Sequence, residues 1–332
     1  MIKKKKYLSE FSVNLFTSNW LLIPADQVTS GGEMSEQDKA IADRSHIYVI
    51  CHRPALRFDP NTFGYAGGLA KGDLIYSVEG VEHRVSFEFP YPLLDGAVRA
   101  SLSPYPHREL RSYDAAGKVV RYLPASAVSF GSGQHLALDV LANLEVLYVG
   151  QAFAGGNRSA FERLQSHSTL QKILAELAYE SPDSEAFVAT FQYEPYRVMA
   201  IFDGKAKDVI ADDRDSGRFY SIMDRPLTQS QQVSLAEAAL IRYFEPRYNK
   251  TYKDKFPSTK QKVLASCYEL DFSGLAVEIN TEELRLRLYS NKAKPAMHHI
   301  SNIELLGKSE RAGFFYFTDR DGRVKQSVPT IG

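Results

Sequence analysis

Residues 144–169 read LEVLYVGQAFAGGNRSAFERLQSHST, which parses as a strand, a glycine turn and a helix in that order. Leu144, Val146, Leu147, Tyr148 and Val149 form a short β-favouring apolar run, so a strand is predicted to end at Tyr148-Val149-Gly150. Gly155, Gly156 and Asn157 mark a loop. Ser159 and Glu162 then have the spacing of a capping box, in which the hydroxyl accepts from the new helix and the carboxylate reaches back. Phe161, Leu164, Leu170 and Ile173 continue at near-helical spacing, interrupted by the polar residues 166–169. Arg163 and His167 lie four apart, so one helical face presents both.

Working outward, residues 227–244 read LTQSQQVSLAEAALIRYF and predict the best-formed helix of the chain. Leu235, Ala238, Ala239, Ile241 and Tyr243 with Phe244 make its apolar face, and Glu237 falls among them. A carboxylate there needs a partner, because an unpaired buried charge is costly; a bound cation or Arg242 would serve. Pro246 stops the helix, and Tyr248-Asn249 is expected on an extended segment folding back over the same region. Arg247, Lys250, Lys253, Lys255, Lys260 and Lys262 come next, opposed only by Asp254 and interleaved with Tyr248, Tyr252 and Phe256. A basic strip with aromatics suits a nucleic-acid track; taken alone it reads equally well as a solvated linker.

These pieces together resemble the GIY-YIG nuclease superfamily, over roughly residues 130–256. Tyr148-Val149-Gly150 resembles its Tyr-Ile-Gly half. Arg163 and His167 resemble the Arg and His of its first helix, Glu237 its single metal-binding Glu, and Asn249 the Asn beyond it. The family's Gly-x-Tyr half is expected within residues 126–143. That stretch has no tyrosine, and His135 is the candidate substitute. The resemblance implies an α+β domain with a small mixed or antiparallel sheet flanked by helices. It also implies a catalytic set of Tyr148, Arg163, His167, Glu237 and Asn249, with Mg²⁺ (or Mn²⁺) held by Glu237.

The chemistry is consistent with that cast. One carboxylate suffices for an ion that keeps most of its waters, and such an ion stabilises a departing oxygen. A guanidinium fork grips phosphate. A phenol with an ordinary pKa near ~10 must be tuned, or work in a network, to handle water, and His167 would share the proton traffic. The expected activity is endonucleolytic hydrolysis of DNA, with RNA as the alternative polymer and Arg247, Lys250, Lys253 and Lys255 contacting it. Restriction, phage defence or mobile-element biology fits by analogy. The absent first tyrosine motivates a second expectation, a catalytically silent nucleic-acid-binding or interaction module on the same fold.

Composition bounds these readings. The chain has 332 residues, 44% hydrophobic and 24% charged, as in ordinary globular proteins. Its 40 basic and 40 acidic side chains cancel, so nucleic-acid binding must come from local patches. The two cysteines, Cys51 and Cys267, fit a reducing compartment; whether they meet is left open. The opening MIKKKKYLSEF imitates the positive region of a signal peptide, but Ser12, Asn14, Thr17, Ser18 and Asn19 break the apolar region that should come after it. No apolar run reaches the ~18 residues of a span, so a cytoplasmic protein without membrane contact is expected.

Three regions are expected: a β-rich 1–125, the nuclease-like 126–256 and a β-rich 257–332, the flanks standing alone or pairing with each other. Within them, a hairpin is predicted around Glu79-Gly80. Residues 210–218 read as a polar loop whose Asp212, Asp213 and Asp215 lack the spacing of a Ca²⁺ site. Residues 267–272 and 275–279 read as the two arms of a second hairpin, and 284–289 as an alternating strand.

Overall fold

A computed structural model describes residues 7–30, 35–131, 139–152, 164, 168–205, 209, 212–306 and 313–331. It is an α+β protein. The described strands are β1 (Ser9–Leu15), β2 (Thr17–Pro24), β3 (Ile47–Pro54), β4 (Arg57–Phe58), β5 (Gly64–Ala66), β6 (Leu69–Val78), β7 (Val81–Pro90), β8 (Arg99–Leu102), β9 (Glu109–Tyr113), β10 (Val119–Pro124), β11 (Asn143–Gln151), β12 (Ser184–Tyr193), β13 (Arg197–Phe202), β14 (Gly274–Asn280), β15 (Arg287–Tyr289), β16 (His298–Glu304), β17 (Tyr316–Thr318) and β18 (Val324–Gln326). The described α-helices are α1 (Ala25–Ser30), α2 (Glu36–Arg44), α3 (Ala125–Gly131), α4 (Asp139–Ala142), α5 (Ser168–Glu180), α6 (Asp213–Asp224), α7 (Gln229–Phe244) and α8 (Ala265–Glu269).

The strand that holds the molecule together is β3. Ile47, Tyr48, Val49, Ile50 and Cys51 are all buried, the continuous apolar run expected of a strand covered on both faces. It is central in a five-stranded sheet of order β15-β11-β3-β12-β2. Ile47, Val49 and Cys51 face a core shared with α7 and with a four-stranded sheet, β13-β1-β14-β16. Tyr48 and Ile50 face the other way, into a core with Leu147 of β11, Leu164, and Leu170 and Ile173 of α5. The strand period of two thus decides which residues meet which helix.

Strand pairing crosses the boundaries read from sequence at 125 and 256. The strands β2 and β3 belong to the same sheet as β11 and β12, and β1 pairs in parallel with β14. The described residues between β3 and β11 form an insert, β4 to β10 with α3 and α4, around its own core of Leu56, Phe58, Leu74, Phe87, Tyr91 and Leu110. Its long hairpin pairs Val78 with Val81 across Glu79 (φ 50°) and Gly80 (φ 78°). Two consecutive positive-φ residues are what a two-residue turn matched to strand twist requires.

Three local expectations are corrected. Residues 213–218 are not loop but the first half of α6. Asp212 caps it by accepting from the Arg214 amide, and Asp213 and Asp215 occupy its first turn, where the helix end favours negative charge. Residues 267–272 are not a strand. Leu264, Cys267 and Leu270 are all buried at three-residue spacing, which suits a helical turn docked on the core better than a two-residue alternation. The strand β14 therefore pairs with β1 and β16, not with a hairpin partner. In the alternating stretch 284–289 only Arg287–Tyr289 is strand, because Arg285 turns with φ 54°. Both cysteines are free, and burial pushes each thiol up to about 12. Among the described residues no helix is long and apolar enough to cross a membrane.

Candidate active site

The strands β11 and β3 run antiparallel, with Tyr148 opposite Ile50, Val149 opposite Val49, Gly150 opposite Tyr48 and Gln151 opposite Ile47. A register shift between Val146 and Tyr148 turns both Leu147 and Tyr148 toward the core that holds Tyr48. The Tyr48 and Tyr148 rings consequently lie side by side, with centroids 6.1 Å apart and planes at 33°. Tyr48 is buried and Tyr148 is half-buried.

Gly150 makes room for this pair. A Cβ built there would stand 2.5 Å from the Tyr48 ring carbon and hydroxyl and 2.7 Å from the Tyr148 ring. Its backbone does not require glycine; the two rings do. Gly150→Ala is expected to lose about 1–3 kcal/mol, the range for forced overpacking. A denaturant midpoint unchanged from wild type would show that the rings can separate freely.

The Asn249 side chain clamps the peptide of Val149. Its Oδ1 accepts from the Val149 amide at 2.9 Å and its Nδ2 donates to the Val149 carbonyl at 2.8 Å. The Tyr248 amide also donates to the Leu147 carbonyl. The segment after α7 thus folds back along β11, as its sequence suggested. Asn249 is buried with both amide groups spent on backbone, so its part is to position β11 between the two tyrosines and α7. The turn that brings it there begins at Glu245, which caps α7 with φ 46°.

Glu237 lies half-buried on α7. One turn before it, the Ser234 hydroxyl approaches the Gln151 side chain at 3.4 Å, which seats α7 on the face of the sheet that carries Ile47, Val49 and Val149, opposite the face that carries Tyr48 and Tyr148. Thr228 and Gln231 start the helix with a reciprocal capping box. The Tyr252 phenol is pushed above its ordinary range, first by burial and then by the Glu237 charge beside it. Among the described residues no three His, Cys, Asp or Glu side chains come together as a metal group; Arg163 and His167, with His135 and the predicted capping box at Ser159, lie outside the described residues.

Sequence reasoning missed Tyr48 and His46. The His46 backbone carbonyl accepts from Ala152 just past β11, and its Nε2 lies 2.7 Å from the Gln229 amide nitrogen at the start of α7. Burial lowers its pKa. The available signal was the pattern His46-Ile47-Tyr48, which leads a strand of the same apolar make-up as Leu144–Val149 but stands one hundred residues upstream of Tyr148.

Of the expected nucleic-acid contacts, Arg247 ion-pairs with Glu180 at 2.8 Å and lies 3.7 Å from Glu176, while the Tyr248 hydroxyl donates to Glu176 at 2.6 Å. The Lys253 ammonium donates to the Pro246 carbonyl at 2.9 Å. Lys250 and Lys255 are exposed. No family model, curated protein or solved structure matches this chain.

Proposed function

We infer that this protein is a metal-dependent phosphodiester hydrolase of the GIY-YIG type, acting on DNA. The observation that carries the reading is the pair of tyrosines brought side by side from antiparallel strands over Gly150. On this reading His46-Ile47-Tyr48 is the first signature half, with His in place of its Gly, and the insert separates it from the second. The phenol sought in 126–143 is supplied from β3, which weakens the case for a silent module.

Each residue then has a task. Tyr148, the more open ring, orients the attacking water and takes part in its deprotonation; Tyr48 buttresses it. Arg163 binds the scissile phosphate through its planar fork, and His167 shares proton movement with Tyr148. Asn249 keeps β11 in place. Glu237 offers a half-buried oxygen ligand whose negative charge is felt by Tyr252, and a lone carboxylate suits Mg²⁺ or Mn²⁺, which retains waters. Such an ion, when bound, supplies Lewis acidity at the departing oxygen.

The test is nicking of supercoiled plasmid with Mg²⁺ and with EDTA. Metal-dependent nicking is the expected result. Protein that binds DNA but cuts at no metal concentration would leave only the binding module. Within an active enzyme, Tyr148→Phe keeps the ring and removes the hydroxyl, and should lower the rate by about 10²-fold with DNA affinity in EDTA unchanged. An unaltered rate would assign water activation elsewhere.

A further inference from the structure

The chain is neutral as a whole, yet residues 97–124 hold five Arg and Lys against two carboxylates, with Tyr105, Tyr113 and Tyr122 among them. This segment builds the three-stranded sheet β10-β9-β8 of the insert. Its register sorts the side chains. Leu102, Leu110 and Leu123 form one cross-strand row, and Ala100, Ser112 and Arg121 another. Leu110 is fully buried, the Ser112 hydroxyl donates to Tyr91, and Arg121 stacks over the same ring, so these rows face the insert core.

The intervening rows must face outward. They are Arg99–Tyr113–Val119 and Ser101–Arg111–Tyr122. The Arg99 guanidinium lies 3.9 Å over the Tyr113 ring and donates to Ser101, which holds the fork flat with its remaining donors at the edge. Arg111 stands directly between Ser101 and Tyr122, whose ring is 49% exposed. Of the two carboxylates, Asp114 is spent on the amides of Ala116 and Lys118 in the turn, and Glu109 pairs with Arg111.

The position of the face matters as much as its charge. The Tyr122 hydroxyl accepts from Gln27 of α1 at 3.5 Å, and α1 packs through Ala25 and Val28 into the core that contains Tyr48. The outward face therefore adjoins the side of the five-stranded sheet that carries the tyrosine pair. The insert departs after Pro54, six residues along β3 from Tyr48, an offset of about 20 Å, or roughly six base pairs of duplex.

We propose that the outward face of β8, β9 and β10 is a second nucleic-acid contact, with Arg99 and Arg111 on backbone phosphates and Tyr122 against a sugar or an unpaired base. The choice of polymer rests on the function proposed above; the presence of the face does not. Stacking on tyrosine tolerates any base, and backbone contacts carry no sequence information, so the face supplies grip and orientation to the strand held at the tyrosine pair.

The test uses the full chain and fluorescein-labelled DNA, duplex and single-stranded, with anisotropy read in EDTA across a salt series. Arg99→Glu/Arg111→Glu should weaken binding by about tenfold or more and flatten the salt dependence by about two ions. Arg99→Gln/Arg111→Gln, a milder change at the same exposed positions, should move both quantities in the same direction and guards against misfolding. Tyr122→Ala should weaken single-stranded DNA more than duplex. Unchanged affinity and slope in the glutamine pair would overturn the proposal and leave the face to some other partner. Plasmid nicking by wild type reports separately. Nicking with undisturbed binding in the variants removes the face alone, whereas binding through the face without nicking removes the hydrolase reading alone.

Discussion

Glu237→Ala is expected to take metal-dependent nicking to background, a loss on the order of a thousandfold. A metal ion contributes several kcal/mol to transition-state stabilisation, and each 1.36 kcal/mol is about tenfold in rate. The substitution is mild for the fold. Ala236, Ala238 and Ala239 already flank the position, and alanine is the best helix former. Ser234 and the Thr228–Gln231 cap are untouched, so α7 should keep its seat against Gln151. Two further readouts separate chemistry from damage. Calorimetric binding of Mn²⁺ should be lost, and DNA affinity in EDTA should persist. The Tyr252 phenol, raised in part by this carboxylate, should titrate at lower pH. Full nicking by the variant would remove Glu237 from the site, and loss of DNA affinity along with activity would point to a structural role.

The parts of this molecule legible in its sequence are those fixed by neighbours close in the chain. The helix Gln229–Phe244, the hairpin at Glu79-Gly80 and the strand Asn143–Gln151 are set by capping, turn and period, all local signals. Tyr48 was not legible because its partnership with Tyr148 is a matter of register between strands separated by the insert, whereas the first tyrosine was expected within residues 126–143. Arg247 shows the same limit from the other side. It sits in a basic strip, but Glu180 reaches it from α5 and pairs with it, a contact that no local pattern shows. Helix α6 was hidden by its own start, since the Asp residues that make 212–215 resemble a loop are the ones that cap it. Asn249, expected as a member of a catalytic set, spends its amide on the Val149 peptide.

Arg53→Met is expected to be the most destabilising single change at the junction between the five-stranded sheet and the insert. Arg53 lies near the end of β3, where the chain leaves for the insert, with its side chain wholly buried. Its Nε donates to Glu185 of β12 at 2.9 Å, Nη1 to the Leu141 carbonyl at 2.6 Å, and Nη2 to the Ser126 carbonyl and the Ser129 hydroxyl. Ser126, Ser129 and Leu141 lie on the return path through α3 and α4, so one guanidinium ties the exit of the insert to its re-entry. Burial opposes both charges, lowering the Arg53 pKa and raising that of Glu185, and their mutual attraction offsets this only in part. The intact pair is therefore a weak net stabiliser, but removing one member leaves the other buried and unmatched, which costs about 3–5 kcal/mol. Glu185→Gln should cost less, because it keeps an acceptor for Nε and leaves the three other contacts in place. Arg53→Met/Glu185→Leu should recover the charge penalty but not the Ser126 and Leu141 carbonyls, and should fall between the two single variants. The sign of the pH dependence comes from the raised Glu185 pKa. A carboxyl protonated more readily in the folded state favours folding at low pH and loses that contribution as pH rises through its folded pKa. In Arg53→Met the Glu185 pKa rises further, so the variant should be closest to wild type in acid and fall away toward neutral pH. Urea midpoints across pH, with limited proteolysis of residues 126–142, measure both effects. A variant that matches wild type at neutral pH would mean that the insert is held by its other contacts and that Arg53 is not the clasp.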